Sequence, residues 1–133
     1  MSPAPAVQTK RIGLAIAREL VSRVASETIE PQTGLSATEL GFLQNVALEG
    51  PRIAIAVIPT HPDCPSMGLL TMNLECSIED AFALPHVRTL FSPRWDVSRL
   101  SEQGRTKIRA AFARHGKGWA CVCGRPFAQF MKV

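Results

Sequence analysis

The segment Pro59-Thr60-His61-Pro62-Asp63-Cys64-Pro65 sets a thiol immediately ahead of a long helical pattern. A cysteine at a helix N-cap faces the positive end of the macrodipole and unpaired backbone N–H groups. Both favour the thiolate, the form that attacks electrophiles and binds metals. The sequence therefore predicts that Cys64 ionises readily, with Asp63 opposing, and that the surrounding prolines hold it accessible and fixed. His61 stands three residues from Cys64, a separation compatible with joint metal ligation, but two ligands make no site. Cys121-Val122-Cys123-Gly124 adds two thiols one residue apart. In a strand they would point to opposite faces, and in a turn they converge on one ion. Zinc takes four ligands as a rule, so His61 or Cys64 with Cys121 and Cys123 is one arrangement, and two chains pooling their pairs in a homodimer is another. Half-buried thiols holding no ion are the plain alternative.

Other chemistry is poorly represented. There is no glycine-rich phosphate loop, and no Ser, His and Asp grouping stands out. With no tyrosine and six Phe and two Trp in the chain, a base-stacking surface for single-stranded RNA has little to build on. Cys76, in mid-helix off the main apolar stripe, reads as a minor packing residue. Trp95 and Trp119 read as packing anchors.

The elements that must position these residues follow from periodicity. Ile12, Ile16, Leu20 and Val24, with Ala17 and Val21 beside them, predict an amphipathic helix over 10–25. A loop punctuated by Pro31 and Gly34 follows, and Ser36 or Thr38 opens a short turn before Glu39-Leu40-Gly41. Val46–Glu49 and Arg52–Ile58, flanking Gly50-Pro51, predict a β-hairpin. Met67, Leu70, Leu74, Ile78 and Phe82 recur at helical spacing over 65–83, with Pro65 in the first turn, where a missing N–H does no harm. Val87–Phe91 makes a third strand. Ser98 or Ser101 caps a last helix, with Ile108, Ala111 and Phe112 on one face and Gly116 as its stop. A hairpin separated from its partner strand by a helical crossover builds a mixed sheet covered by helices. The expectation is an α+β, two-layer α/β sandwich in the order α-β-β-α-β-α: a tail over 1–9, a domain over 10–116 and an extension over 117–133.

Composition bounds the rest. A chain of 133 residues with 46% apolar and 20% charged residues is the size of one compact domain, neither disordered nor fibrous. No stretch approaches the apolar length needed to span a bilayer, and MSPAPAVQTKR lacks the apolar core of a secretion signal, so a cytoplasmic location is expected. Four cysteines in a reducing compartment read as thiols or ligands rather than disulfides. Residues 1–93 carry six basic and nine acidic side chains, and residues 94–133 carry nine basic and two acidic. The positive charge of the last third, on Arg99, Arg105, Lys107, Arg109 and Arg114, is either a solvated helix face or a docking face for an acidic protein. A nucleic acid is the less supported partner.

Several segments together resemble the iron-sulfur cluster assembly (FSCA) domain family and, within it, the PaaD-type proteins of phenylacetate degradation operons. Thr60-His61-Pro62-Asp63-Cys64-Pro65 is similar to the family's T-x-x-x-C-P signature. Glu39-Leu40-Gly41-Phe42-Leu43-Gln44-Asn45-Val46 resembles its Leu-Gly turn into the first strand. Leu90-Phe91-Ser92-Pro93-Arg94-Trp95 and Ser101-Glu102-Gln103-Gly104-Arg105 resemble its S-P-x-W and E-x-G-R segments. Two departures stand out. Glu30-Pro31-Gln32 replaces the family's Asp-Pro-Glu, leaving Glu30 as the acidic candidate, and one close cysteine pair replaces the two pairs of a zinc-ribbon-like ending.

The resemblance implies a non-enzymatic maturation factor. It would hold iron or an iron-sulfur cluster transiently on Cys64, with Thr60, His61, Pro65 and Glu30 supporting the loop. Its partners would be a cluster donor and a client apo-protein, the reductase of a multicomponent oxygenase among them. A remnant zinc site at Cys121 and Cys123 is implied alongside. The competing readings are a thiol-dependent enzyme using Cys64 as nucleophile with a histidine base, and a nucleic-acid-binding module using the basic last helix.

Overall fold

The structure, a computed structural model, describes residues 13–60, 64–82, 87–127 and 130. Helix α1 (Leu14–Glu27) is followed by a short α2 (Ala37–Leu40), the hairpin β1 (Leu43–Glu49) and β2 (Arg52–Val57), the long α3 (Pro65–Phe82), β3 (Arg88–Phe91), a 3-10 turn (Val97–Arg99) and α4 (Glu102–His115). The expected order of helices and strands is the observed one. β2 is central, antiparallel to β1 and parallel to β3, so the sheet order is β1-β2-β3 with α3 as the crossover. Its residues Ile53, Ala54, Ile55 and Val57 are buried, as a strand covered on both sides requires.

The α3 stripe behaves as its spacing predicts, with Met67, Leu70, Leu74, Ile78 and Phe82 all buried. In α1 the buried face is displaced. Ala17, Val21 and Ala25 are sealed, whereas Ile16 is 53% exposed and Leu20 and Val24 are only partly covered. Small residues let α1 lie close to the elements it packs on, β1, α2 and α3, and the larger aliphatics flank that contact. β1 also begins earlier than Val46. Gln44 and Asn45 face solvent, and the register slips between Leu43 and Asn45, so neither hydrophobicity nor strict alternation marks its start. Cys76 is exposed on α3, not packed.

The caps sit where short polar side chains allow. Ser101 Oγ accepts from Gly104 N at the head of α4, while Ser98 belongs to the preceding 3-10 turn, capped by Asp96. Ser36 and Glu39 form a reciprocal capping box on α2: Ser36 Oγ accepts from Glu39 N at 3.0 Å, and Glu39 Oε1 accepts from Ser36 N at 2.9 Å. Lys107 Nζ on α4 donates to the same Oε1 at 2.9 Å. Partial burial works against ionising Glu39, but the Ser36 N–H, the Lys107 ammonium and the Ser36 hydroxyl together outweigh it, and its pKa lies below the ordinary 4.5.

A carboxylate with a depressed folded pKa contributes stability above its unfolded pKa and loses it as pH falls through the folded value. Unfolding free energy should therefore decline below roughly pH 4.5, and a Glu39→Gln variant should show a shallower acid slope over that window. Urea titrations of both proteins between neutral and acid pH would measure it; identical slopes would exclude the assignment.

After α4 the chain returns to the body. Trp119, Cys121, Phe127 and Phe130 are buried in the main core. Trp119 stacks under His115 and meets Phe112 edge-on, and Phe130 meets Trp95 edge-on. The two tryptophans thus fasten the last segment to α4 and to the stretch after β3.

Candidate metal centre

Cys64 directly precedes α3, and its carbonyl accepts from Met67 N at 3.0 Å and Gly68 N at 3.3 Å, which places it at the N-cap. The expected solvent-facing thiol is corrected: Cys64 is 4% exposed. The shielding comes from far along the chain, because Cys64 Sγ lies 2.9 Å from Cys121 Sγ, fifty-seven residues later. Either thiol can donate to the other at this contact.

Cys121 and Cys123 occupy a tight turn rather than a strand. Ala120 bridges to Pro126, Cys121 N donates to Arg125 O at 2.9 Å, and Gly124 N donates to Cys121 O at 2.9 Å. The turn delivers both sulfurs to one side. Those of Cys64, Cys121 and Cys123 all lie within 4.8 Å of one another. Their surroundings differ. Burial, followed by the hydrogen bonding with Cys64 and Cys123, pushes the Cys121 thiol up to about 12, even against a lowering backbone hydrogen bond from Cys123. Cys123 is exposed, and the Arg125 backbone N–H, then the neighbouring thiol of Cys64, hold its pKa below the ordinary thiol value.

Glu30 underlies this arrangement. Only 1% exposed, its carboxylate accepts from Gln32 N at 2.6 Å, Thr33 N at 2.8 Å, Thr33 Oγ1 at 2.8 Å and Ser66 Oγ at 2.5 Å. Ser66 lies in the first turn of α3, two residues after Cys64. From the same loop, Gln32 Oε1 accepts from Val122 N, between the two later cysteines, at 3.2 Å. The 30–33 turn thus holds the Cys64 end through Ser66 and the Cys121–Cys123 turn through Gln32. The sequence pattern does not mark Ser66 or Thr33, and it marks Gln32 only as a departure from the family's Asp-Pro-Glu. A hydroxyl in the first turn behind Cys64 was the available signal for Ser66; the Gln32 contact, ninety residues long, left none.

The other candidates are placed as follows. Thr60 is half-buried, with its hydroxyl donating to Met67 Sδ at 3.4 Å. Pro65 is the exposed first residue of α3. His61 lies outside the described residues, as do its neighbours Pro62 and Asp63.

The basic residues divide. Arg99 is half-buried and directs Nε to Gly41 O at 2.7 Å and Nη2 to Leu43 O at 3.4 Å; Arg105 Nη2 donates to Val97 O at 3.1 Å. Lys107 is paired with Glu39. These three serve contacts within the fold, and Arg109 and Arg114 remain exposed on α4.

Three cysteine sulfurs form a donor set suited to soft or borderline ions, iron in sulfur-rich environments among them. Among the described residues no helix is long and apolar enough to cross a membrane.

Two solved structures share the fold. A domain of unknown function, DUF59, from Bacillus anthracis aligns over 72% of this chain and 94% of its own, with a TM-score of 0.57 and 18% identity. The conserved hypothetical protein TM0487 from Thermotoga maritima aligns over 74% and 96%, with a TM-score of 0.60 and 22% identity. No curated protein matches. A family model described as "Iron-sulfur cluster assembly protein" matches residues 19–88, more than half of the chain, from within α1 through α3 and its Cys64 N-cap to the start of β3. On that match the chain belongs to the iron-sulfur cluster assembly protein family.

Proposed function

We propose that the chain is a non-enzymatic accessory factor that carries iron, or an iron-sulfur cluster in the making, to a client apo-protein in the cytoplasm. The observation that supports this most is the convergence of Cys64, Cys121 and Cys123 in a member of an assembly family. Among the described residues three sulfurs can hold the cargo and no fourth ligand joins them, which suits transfer, since a cluster settled in its final protein normally has four protein ligands. The PaaD-like features point to the reductase of a multicomponent oxygenase as client. The exposed Arg109 and Arg114 are the docking contacts that remain for an acidic partner, because Arg99, Arg105 and Lys107 have partners within the chain. A nucleophilic enzyme is less well served, since Cys64 is buried against Cys121 and offers a substrate little approach.

The test is client activation. With Cys64→Ser, thermal unfolding should stay close to that of the parent protein, while the cluster content of a co-expressed client, read as iron and acid-labile sulfide per chain, should fall to its level without the factor. Full cluster content in that client would remove Cys64 from the mechanism.

A further inference from the structure

We propose that Cys64, Cys121 and Cys123 take a single thiophilic divalent ion, iron(II) in the assembly role, and that among the described residues no fourth ligand closes its coordination on the Cys123 side. The proposal rests on the carrier reading above and narrows its cargo from iron or a cluster to one ion. Sulfurs that share one ion at about 2.3 Å, with tetrahedral angles, stand roughly 3.8 Å apart. Here the three lie within 4.8 Å of one another, with Cys64 and Cys121 at 2.9 Å, so the pair needs to part by only about 0.9 Å to accept the ion.

A polynuclear cluster demands more. In a 4Fe–4S cluster each thiolate sits on its own iron, so an iron–iron edge is added to two iron–sulfur bonds; in a 2Fe–2S cluster two thiolates share an iron and the third, on the other iron, stands beyond the 4.8 Å that encloses all three sulfurs here. Cys64 and Cys121 are 4% and 5% exposed and belong to the main core, whose close packing opposes such a separation. The dication displaces the thiol protons to solvent, and the resulting centre, one dication with three thiolates, carries one net negative charge. The head of α3, with Cys64 at its N-cap, is a suitable neighbour for that charge.

Burial also sets the direction of exchange. Cys64 and Cys121 close the inner side of the ion, and Cys123 lies at its solvent edge. An incoming thiolate therefore occupies the fourth position there before the chain's own sulfurs release the ion.

The experiment is an anaerobic titration of the reduced full-length protein with cobalt(II), followed by iron(II). Sulfur-to-cobalt charge-transfer absorbance should saturate at one equivalent per chain with tetrahedral ligand-field bands. Cys121→Ser and Cys123→Ser should each remove about one third of the charge-transfer intensity, one sulfur in three, while Cys76→Ser leaves it unchanged. A small exogenous thiol should shift the ligand-field bands without releasing the ion. Saturation at half an equivalent, no dependence on Cys123, or bands indifferent to added thiol would each overturn the inference. Reconstitution with iron and sulfide that left a sulfide-containing cluster on these cysteines would overturn the single ion and leave the carrier reading standing. One ion bound as described by a protein that fails to restore its client would do the reverse.

Discussion

Replacing Glu30 with alanine is expected to cost about 3–5 kcal/mol, a large share of the roughly 5–15 kcal/mol that holds a domain folded. The carboxylate is sealed from water and accepts four hydrogen bonds, two from backbone N–H groups and two from hydroxyls. Deleting it leaves the buried Ser66 hydroxyl and three part-buried donors without their acceptor; a stranded buried donor costs about 1–3 kcal/mol and a part-buried one less, and the losses are less than additive at one site. Glu30→Gln keeps the volume but turns an amide N–H₂ toward one of the two backbone N–H groups, which can only donate, while the hydroxyl beside it can turn to accept. The variant should recover only part of the loss. Urea unfolding would report both variants as a lower midpoint at an unchanged slope, and a loss below about 1 kcal/mol for Glu30→Ala would show that water replaces the carboxylate. The site should feel the change as well. Ser66 and Gln32 tie the 30–33 turn to both sources of sulfur, so the alanine variant should bind cobalt(II) more weakly even under conditions where it stays folded.

Why Glu30 was legible only as a candidate, and Cys64 only in half its setting, comes down to sequence distance. The helix from Pro65, its proline first turn and its stripe from Met67 to Phe82 are local patterns, and local pattern recovered them. So was the crossover that makes β2 and β3 parallel. The burial of Cys64 is not local. It is supplied by a segment more than fifty residues away, which no property of Pro59–Pro65 encodes. The same separation explains the basic residues. Composition counts Arg99 and Arg105 as surface charge, whereas the fold turns their guanidinium groups onto the carbonyls of Gly41, Leu43 and Val97. In α1 the failure is of another kind: a helix with aliphatic residues on several sides does not reveal by period alone that its alanines make the contact.

Gly41→Ala should be the other severe substitution, for a reason invisible in the Leu-Gly turn itself. Gly41 has φ 66° at the C-cap of α2, where an L-residue with a side chain pays about 1–2 kcal/mol. A Cβ built there would lie 2.3 Å from Arg99 O and 2.6 Å from Arg99 Cβ, and the first of these atoms is backbone. Relief requires moving the 3-10 turn at Val97–Arg99, which carries the Arg99 side chain bonded to Gly41 O at 2.7 Å and leads into Ser101, whose N–H reaches Glu39 O at 3.0 Å. Overpacking of this kind adds about 1–3 kcal/mol, for a total near 2–5 kcal/mol and a fall in Tm on the order of 10–20 °C for a chain of this size. Gly34 separates the two causes. Its φ is 74°, but nothing lies within 4 Å of its Cβ position, so Gly34→Ala should show the backbone cost alone, about 1–2 kcal/mol. Calorimetry on the pair measures the difference. Equal losses at the two positions would mean that Arg99 moves aside freely, and that the contact between the α2 cap and the turn before α4 contributes little to holding these elements together.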